Sequence, residues 1–201
     1  MTYAWKSFAI VSVLALAACG SKTEQRTDNA VDAAQNAIVN TAEAAGNVLE
    51  NTGQALMPTP SPQEFADRAA RSDAFEIAAA QLAVKNASSA AVKDFARMMI
   101  DAHNQSTAAI KKAAAAATPA VTPNATLTSD QQKDLTELGA LTGERFDKDY
   151  IDGQVDAHED ALKLMKKYAA DGESATLKSA AQDLVPVIEK HLARARELDK
   201  D

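Results

Sequence analysis

The chain has 201 residues, a formal net charge of −7, and 24% charged side chains with no basic block. That balance argues against a nucleic-acid partner and against electrostatic adhesion to anionic lipid. A single cysteine excludes an internal disulfide.

Residues 1–18 read as a signal peptide, with one positive charge at Lys6 and an apolar run from Phe8 to Ala18 broken only by Ser12. As a helix that run spans roughly 16 Å, too short for a hydrocarbon core of about 30 Å. Leu16-Ala17-Ala18-Cys19 resembles the bacterial lipobox, in which small residues admit the peptidase and the cysteine thiolate accepts a diacylglyceryl group. Cys19 is therefore the expected lipid attachment point, and the membrane is the expected partner through that lipid alone. Loss of Lys6 with the signal would make the mature chain more acidic by one charge. Gly20 and Ser21 after the cysteine, by resemblance to Gram-negative sorting rules, imply the outer membrane and a domain facing the periplasm.

Residues 19–61 form a tether. Val31, Ile38, Ala45 and Thr52 recur at heptad spacing, as do Ala34, Thr41, Val48 and Ala55, but a seam of Ala and Thr buries little apolar area. A fraying spacer helix, or a disordered one, is expected there. Pro58, Pro60 and Pro62 mark the boundary with the domain proper, residues 62–199.

Ser61-Pro62-Gln63-Glu64 has the form of a capping box with proline in the first turn, and it opens a predicted helix over 62–86. A second helix is predicted over 89–117, stopped ahead of Pro119 and Pro123. Thr128-Ser129-Asp130-Gln131 opens a third region, which Gly139 and Gly143 divide into a lead-in and a main helix over 143–170. After the Asp171-Gly172 turn, a last helix fills 173–199 and should bend at Pro186. No segment alternates with a period of two, so the expected fold is all-α, an antiparallel four-helix bundle.

The three histidines fall on three different helices, and each lies on an apolar stripe at ~100° per residue. His103 follows Ala96, Met99 and Ile100; His158 lies with Ile151, Leu162 and Met165; His191 lies with Leu184, Ile188 and Ala195. On the remaining helix Glu76 occupies the stripe of Phe65, Ala69 and Ala80. Up-down-up-down order puts both tight turns at one end, with Glu76, His103, His158 and His191 about 16, 24, 20 and 29 Å from it. Two readings stand. In one, neutral imidazoles form a satisfied polar core with Glu76 or Tyr150. In the other, the four side chains hold one Zn, Fe or Cu ion. The acids two residues before each histidine (Asp101, Asp156, Glu189) face solvent on this geometry. Asp147, on the His158 stripe, is the expected carboxylate to orient a ring, with Tyr150 beside it.

Phe65…Glu76, Val92-Lys93-Asp94-Phe95-Ala96…Met98-Met99-Ile100-Asp101-Ala102-His103, Gly143…Phe146-Asp147…Tyr150…His158 and Leu177-Lys178…Pro186…His191 carry a resemblance. In this order they resemble the ferritin-like exported domain-of-unknown-function family 4142, over about residues 62–198, whose members are often described as outer-membrane proteins. The resemblance implies a ferritin-like bundle in the bacterial envelope and no established activity. The Glu-x-x-His pairs of di-iron bundles are missing, because Ile100, Val155 and Ile188 stand three residues before the histidines. No Gly-x-Ser-x-Gly elbow and no free thiol in the mature chain point to a hydrolase. The expectation is a lipid-anchored, non-enzymatic envelope protein with a structural, binding or stress-related role; the alternative is a mononuclear metal-binding bundle with a buffering or redox role.

Overall fold

The computed structural model describes residues 58–200; the expected signal, Cys19 and nearly all of the tether lie outside them. Five helices form: α1 Pro62–Asn86, α2 Ala90–Ala115, α3 Ser129–Gly139, α4 Gly143–Asp171 and α5 Ala175–Leu198, and the described residues contain no strand. Both halves of the Ser61/Glu64 capping box are present on α1, and Thr128 with Gln131 makes a second on α3. Gly143 opens α4 at φ +69°, a left-handed conformation that a Cβ would penalise. At Gly172 a Cβ would sit 2.5 Å from the Tyr168 ring, so the α4–α5 turn also needs glycine. Pro186 lies inside α5. Among the described residues no helix is long and apolar enough to cross a membrane.

The four long helices pack as a square in the order α1–α2–α5–α4, each antiparallel to its neighbours. Their connectivity differs from the up-down-up-down order expected from sequence. At one end Asp147, near the start of α4, accepts hydrogen bonds from the Ser88 and Ser89 amides in the α1–α2 turn. At the other end Phe65 stacks on Tyr168 with ring centroids 3.8 Å apart, and Thr176 Oγ1 donates to the Ala113 carbonyl at 2.8 Å. The two tight turns therefore lie at opposite ends. The segment after α2 makes the difference by climbing along α1. The Thr122 carbonyl meets Gln63, the Asn124 amide meets Asp67, the Thr126 carbonyl meets Arg71, and the Gly139 carbonyl meets Asn86. Carried the length of the bundle by this strap and α3, the chain enters α4 at the far end.

Apolar packing divides into two clusters. One gathers Ala80, Phe95, Met99, Phe146, Tyr150 and Ala195 near the α1–α2 turn; the other gathers Phe65, Ile110, Tyr168 and Leu177 near the α4–α5 turn. Between them Asp73, Glu76, Gln154, His158 and His191 are buried. Deep in an otherwise apolar bundle such a layer costs several kcal/mol unless its charges and hydrogen bonds are met.

Asp147 belongs to the end of the bundle and not to this layer, which corrects its expected role beside the histidines. It accepts from the Ser88 amide at 2.9 Å, from the Ser89 amide at 2.9 Å and from the Ser88 hydroxyl. A carboxylate on amides at a helix N-terminus is favoured by both hydrogen bonding and the helix dipole. Asp147→Ala is expected to cost about 1–2 kcal/mol, seen as a melting temperature lower by about 3–6 °C. A variant that melts as the parent does would contradict this assignment.

Candidate metal centre

The three imidazoles meet inside the bundle. Ring centroids are 5.7 Å apart for His103 and His158, 6.3 Å for His103 and His191, and 5.5 Å for His158 and His191. One nitrogen from each ring lies within 4.8 Å of the other two. The crossover connectivity explains the convergence. Counted from the Phe65–Tyr168 stack, Glu76 and His158 are about 16 and 15 Å up the bundle; counted from the Thr176–Ala113 bond, His103 and His191 are about 15 and 22 Å up. Side chains tilt toward the N-terminus of their own helix, so His191 on the rising α5 leans down. His103 and His158 on the descending α2 and α4 lean up, which closes the gap.

Two of the rings are held from behind, each in a different way. His103 Nδ1 is 2.8 Å from Asp73 Oδ1, and the other Asp73 oxygen accepts from Thr107 Oγ1 at 2.9 Å. His158 Nδ1 is 2.8 Å from the Gln154 carbonyl, an oxygen that can only accept, so the proton sits on Nδ1 and the Nε2 lone pair is free. The Nε2 atoms of His103 and His158 are both buried without a hydrogen-bond partner. A carboxylate and a carbonyl behind two rings whose outward nitrogens converge is the outer-shell arrangement that fixes tautomers in histidine metal sites.

Glu76 lines the same cavity but is not one of the converging donors. Its Oε2 accepts from the Gln154 carboxamide, and its Oε1 has no partner. Burial pushes its pKa up, against the lowering pull of His103 and the Gln154 bond. Burial also drives His158 and His191 down to about 4, helped by the charge on His103. For His103 burial pulls down, but the Asp73 bond and the Glu76 charge outweigh it and its pKa rises. The Asp73 bond thus favours protonation of His103 over the other two rings, while burial holds His158 and His191 neutral with lone pairs to donate.

Tyr150 does not orient a ring. Its hydroxyl is buried without a partner, its ring stacks on Phe146 at 5.9 Å, and burial raises its pKa. Asp101, Asp156 and Glu189 are exposed, as their spacing predicts. The carboxylate that does hold a ring, Asp73, escaped the sequence reading. It lies three residues before Glu76 on the same helix face, and a second acid on that alanine-lined stripe was the available signal.

Three imidazole nitrogens and no thiolate suit Zn, Cu or Fe rather than Mg or Ca. The cavity they line is about 40 Å³, room for an ion with one or two small ligands. A tetrahedral site with bonds near 2.05 Å needs donors about 3.4 Å apart, so rings now within 4.8 Å must draw in by roughly an ångström.

Neither the curated proteins nor the solved structures contain a match to this chain. The family described as Domain of unknown function (DUF4142) matches residues 47–198, which takes in all five helices, and the chain belongs to that family.

Proposed function

We propose that this protein is an exported envelope lipoprotein whose bundle binds one transition-metal ion on His103, His158 and His191, with a metal-buffering or redox role. One observation carries the metal reading: three imidazole donors lie within 4.8 Å of one another, and the Nε2 atoms of His103 and His158 are buried with nothing to bind. An ion would satisfy those nitrogens and balance the Asp73 and Glu76 carboxyls beside them. Asp73 would hold His103 in its tautomer. Glu76, freed from Gln154, could complete the coordination or accept a hydrogen bond from a bound water. The single crossover is the connectivity of ferritin-like bundles, which supports that relationship, while the missing Glu-x-x-His pairs argue against a di-iron centre.

Metal analysis of tag-free protein after dialysis tests the reading. About one equivalent of Zn, Cu or Fe is expected. Less than a tenth of an equivalent for every metal tried would leave a polar core in a lipid-tethered structural or binding protein. The lipid anchor rests on Leu16-Ala17-Ala18-Cys19. Cys19→Ala is expected to move the protein from the membrane to the soluble fraction, because several acyl chains on one cysteine are needed for stable attachment. A Cys19→Ala protein still sedimenting with membranes would refute the anchor.

A further inference from the structure

Beside the histidine cavity runs a second feature, a groove of about 510 Å³ between α1, α3 and α4. Asp134, Glu137, Asp149, Asp156 and Asp160 line it. Glu137 pairs with Lys133 and Asp160 with Lys163, while Asp134, Asp149 and Asp156 have no ion-pair partner among the described residues. Its floor is polar and unsatisfied: Gln154 and Tyr150 are 2% and 1% exposed, and Gln154 Oε1 and the Tyr150 hydroxyl have no hydrogen-bond partner.

The groove and the histidine cavity share a wall. Ala157 lines both, and the Gln154 side chain that floors the groove donates to Glu76, which lines the cavity. Gly153 stands in the groove wall in the middle of α4, and a Cβ there would meet nothing within 4 Å. A mid-helix glycine costs about 0.5–1 kcal/mol relative to alanine, so helix stability does not account for it, and the open space beside it is where a long side chain would obstruct the groove. Other approaches suit a hydrated cation less well. Toward α4 and α5 the cavity is walled by Ala161, Leu164, Leu184 and Val187, and toward α1 and α2 Asp73 is already tied to His103 and Thr107.

We propose that the acidic groove between α1, α3 and α4 is the loading route by which a hydrated divalent transition-metal cation reaches the histidine centre, with Gln154 and Glu76 as the inner relay. The inference rests on the metal-centre reading. Unpaired carboxylates raise the local cation concentration and steer encounter. The free Gln154 and Tyr150 oxygens can replace shed waters, and Glu76 hands the ion to the imidazoles.

Stopped-flow absorbance of Co²⁺ binding to the tag-free full-length protein separates route from centre. The Asp134→Asn/Asp149→Asn/Asp156→Asn variant should bind Co²⁺ about tenfold more slowly at low salt, with its equilibrium affinity within twofold of the parent. That difference should vanish in 0.5 M salt, where screening acts within about 4 Å. Neutralising Asp94, Asp183 and Glu197, which are exposed elsewhere on the bundle, should change the rate less than twofold. Gly153→Lys, a change that favours the helix and meets open space, should slow binding further, whereas Gly153→Ala should bind at the parental rate. Equal rates in the groove and control variants, with the parent binding Co²⁺ normally, would overturn the route and leave the centre standing. A parent that takes up no Co²⁺ at equilibrium would overturn both.

Discussion

His158→Gln is expected to reduce bound transition metal from about one equivalent to below a tenth after dialysis, while the protein stays helical and folded. Glutamine is close to histidine in size and can keep polar contacts in the layer, so the change removes the Nε2 donor without leaving a large void. Two donors from flexible side chains cannot hold an ion against buffer as three can, and the loss should exceed the ~10–100-fold typical of outer-shell substitutions. His103→Gln and His191→Gln should behave alike. Asp73→Asn should fall in the outer-shell range, because the amide still meets Nδ1 but no longer sustains the charge or the tautomer. A chelator competition titration reads all four variants. Full stoichiometry in His158→Gln at unchanged affinity would refute the three-histidine centre.

The bundle was legible because its signals are local. Ser61 and Thr128 carry complete capping boxes, Gly143 and Gly172 sit where φ or close packing demands them, and the predicted helix ends fall within two residues of those observed. Order in space was not local. The strap 116–128 has no periodicity of its own, and its path is set by isolated polar contacts, Gln63 to Thr122 and Arg71 to Thr126, that no spacing rule encodes. The same gap explains the site. Helical periodicity placed all three histidines inward, but the spacing along each helix left His191 out of level and did not show which end of the bundle Asp147 occupies. His191 joins the other rings because side chains tilt toward their helix N-termini, and Asp147, about 16 Å along α4 from His158, meets the Ser88 and Ser89 amides ahead of α2. Asp73 was missed because an acid on an alanine stripe looks the same in sequence whether it meets solvent or a ring from the next helix.

Metal-free protein is expected to lose stability on acidification from pH 6.5 to 4.5, by a few kcal/mol. The sign follows from four groups. His158 and His191 titrate near 4 when folded and near 6.5 when unfolded, so in this window the unfolded chain binds two more protons and stability falls with pH. Glu76 runs the other way: burial raises its folded pKa above that of the unfolded carboxyl, which offsets part of that two-proton excess. His103, whose folded pKa is raised, contributes stability that is complete below 6.5 and is lost only as pH climbs through that raised value. The net slope lies below two protons, or below about 2.8 kcal/mol per pH unit. Glu76→Gln removes the opposing group and should steepen the slope, whereas His158→Gln/His191→Gln should reverse or flatten it. Urea midpoints measured from pH 4.5 to 7.5 in the presence of a chelator decide the matter. A flat profile in the parent would show that these rings are not held neutral in the bundle, and an unchanged slope in Glu76→Gln would show that Glu76 does not oppose them.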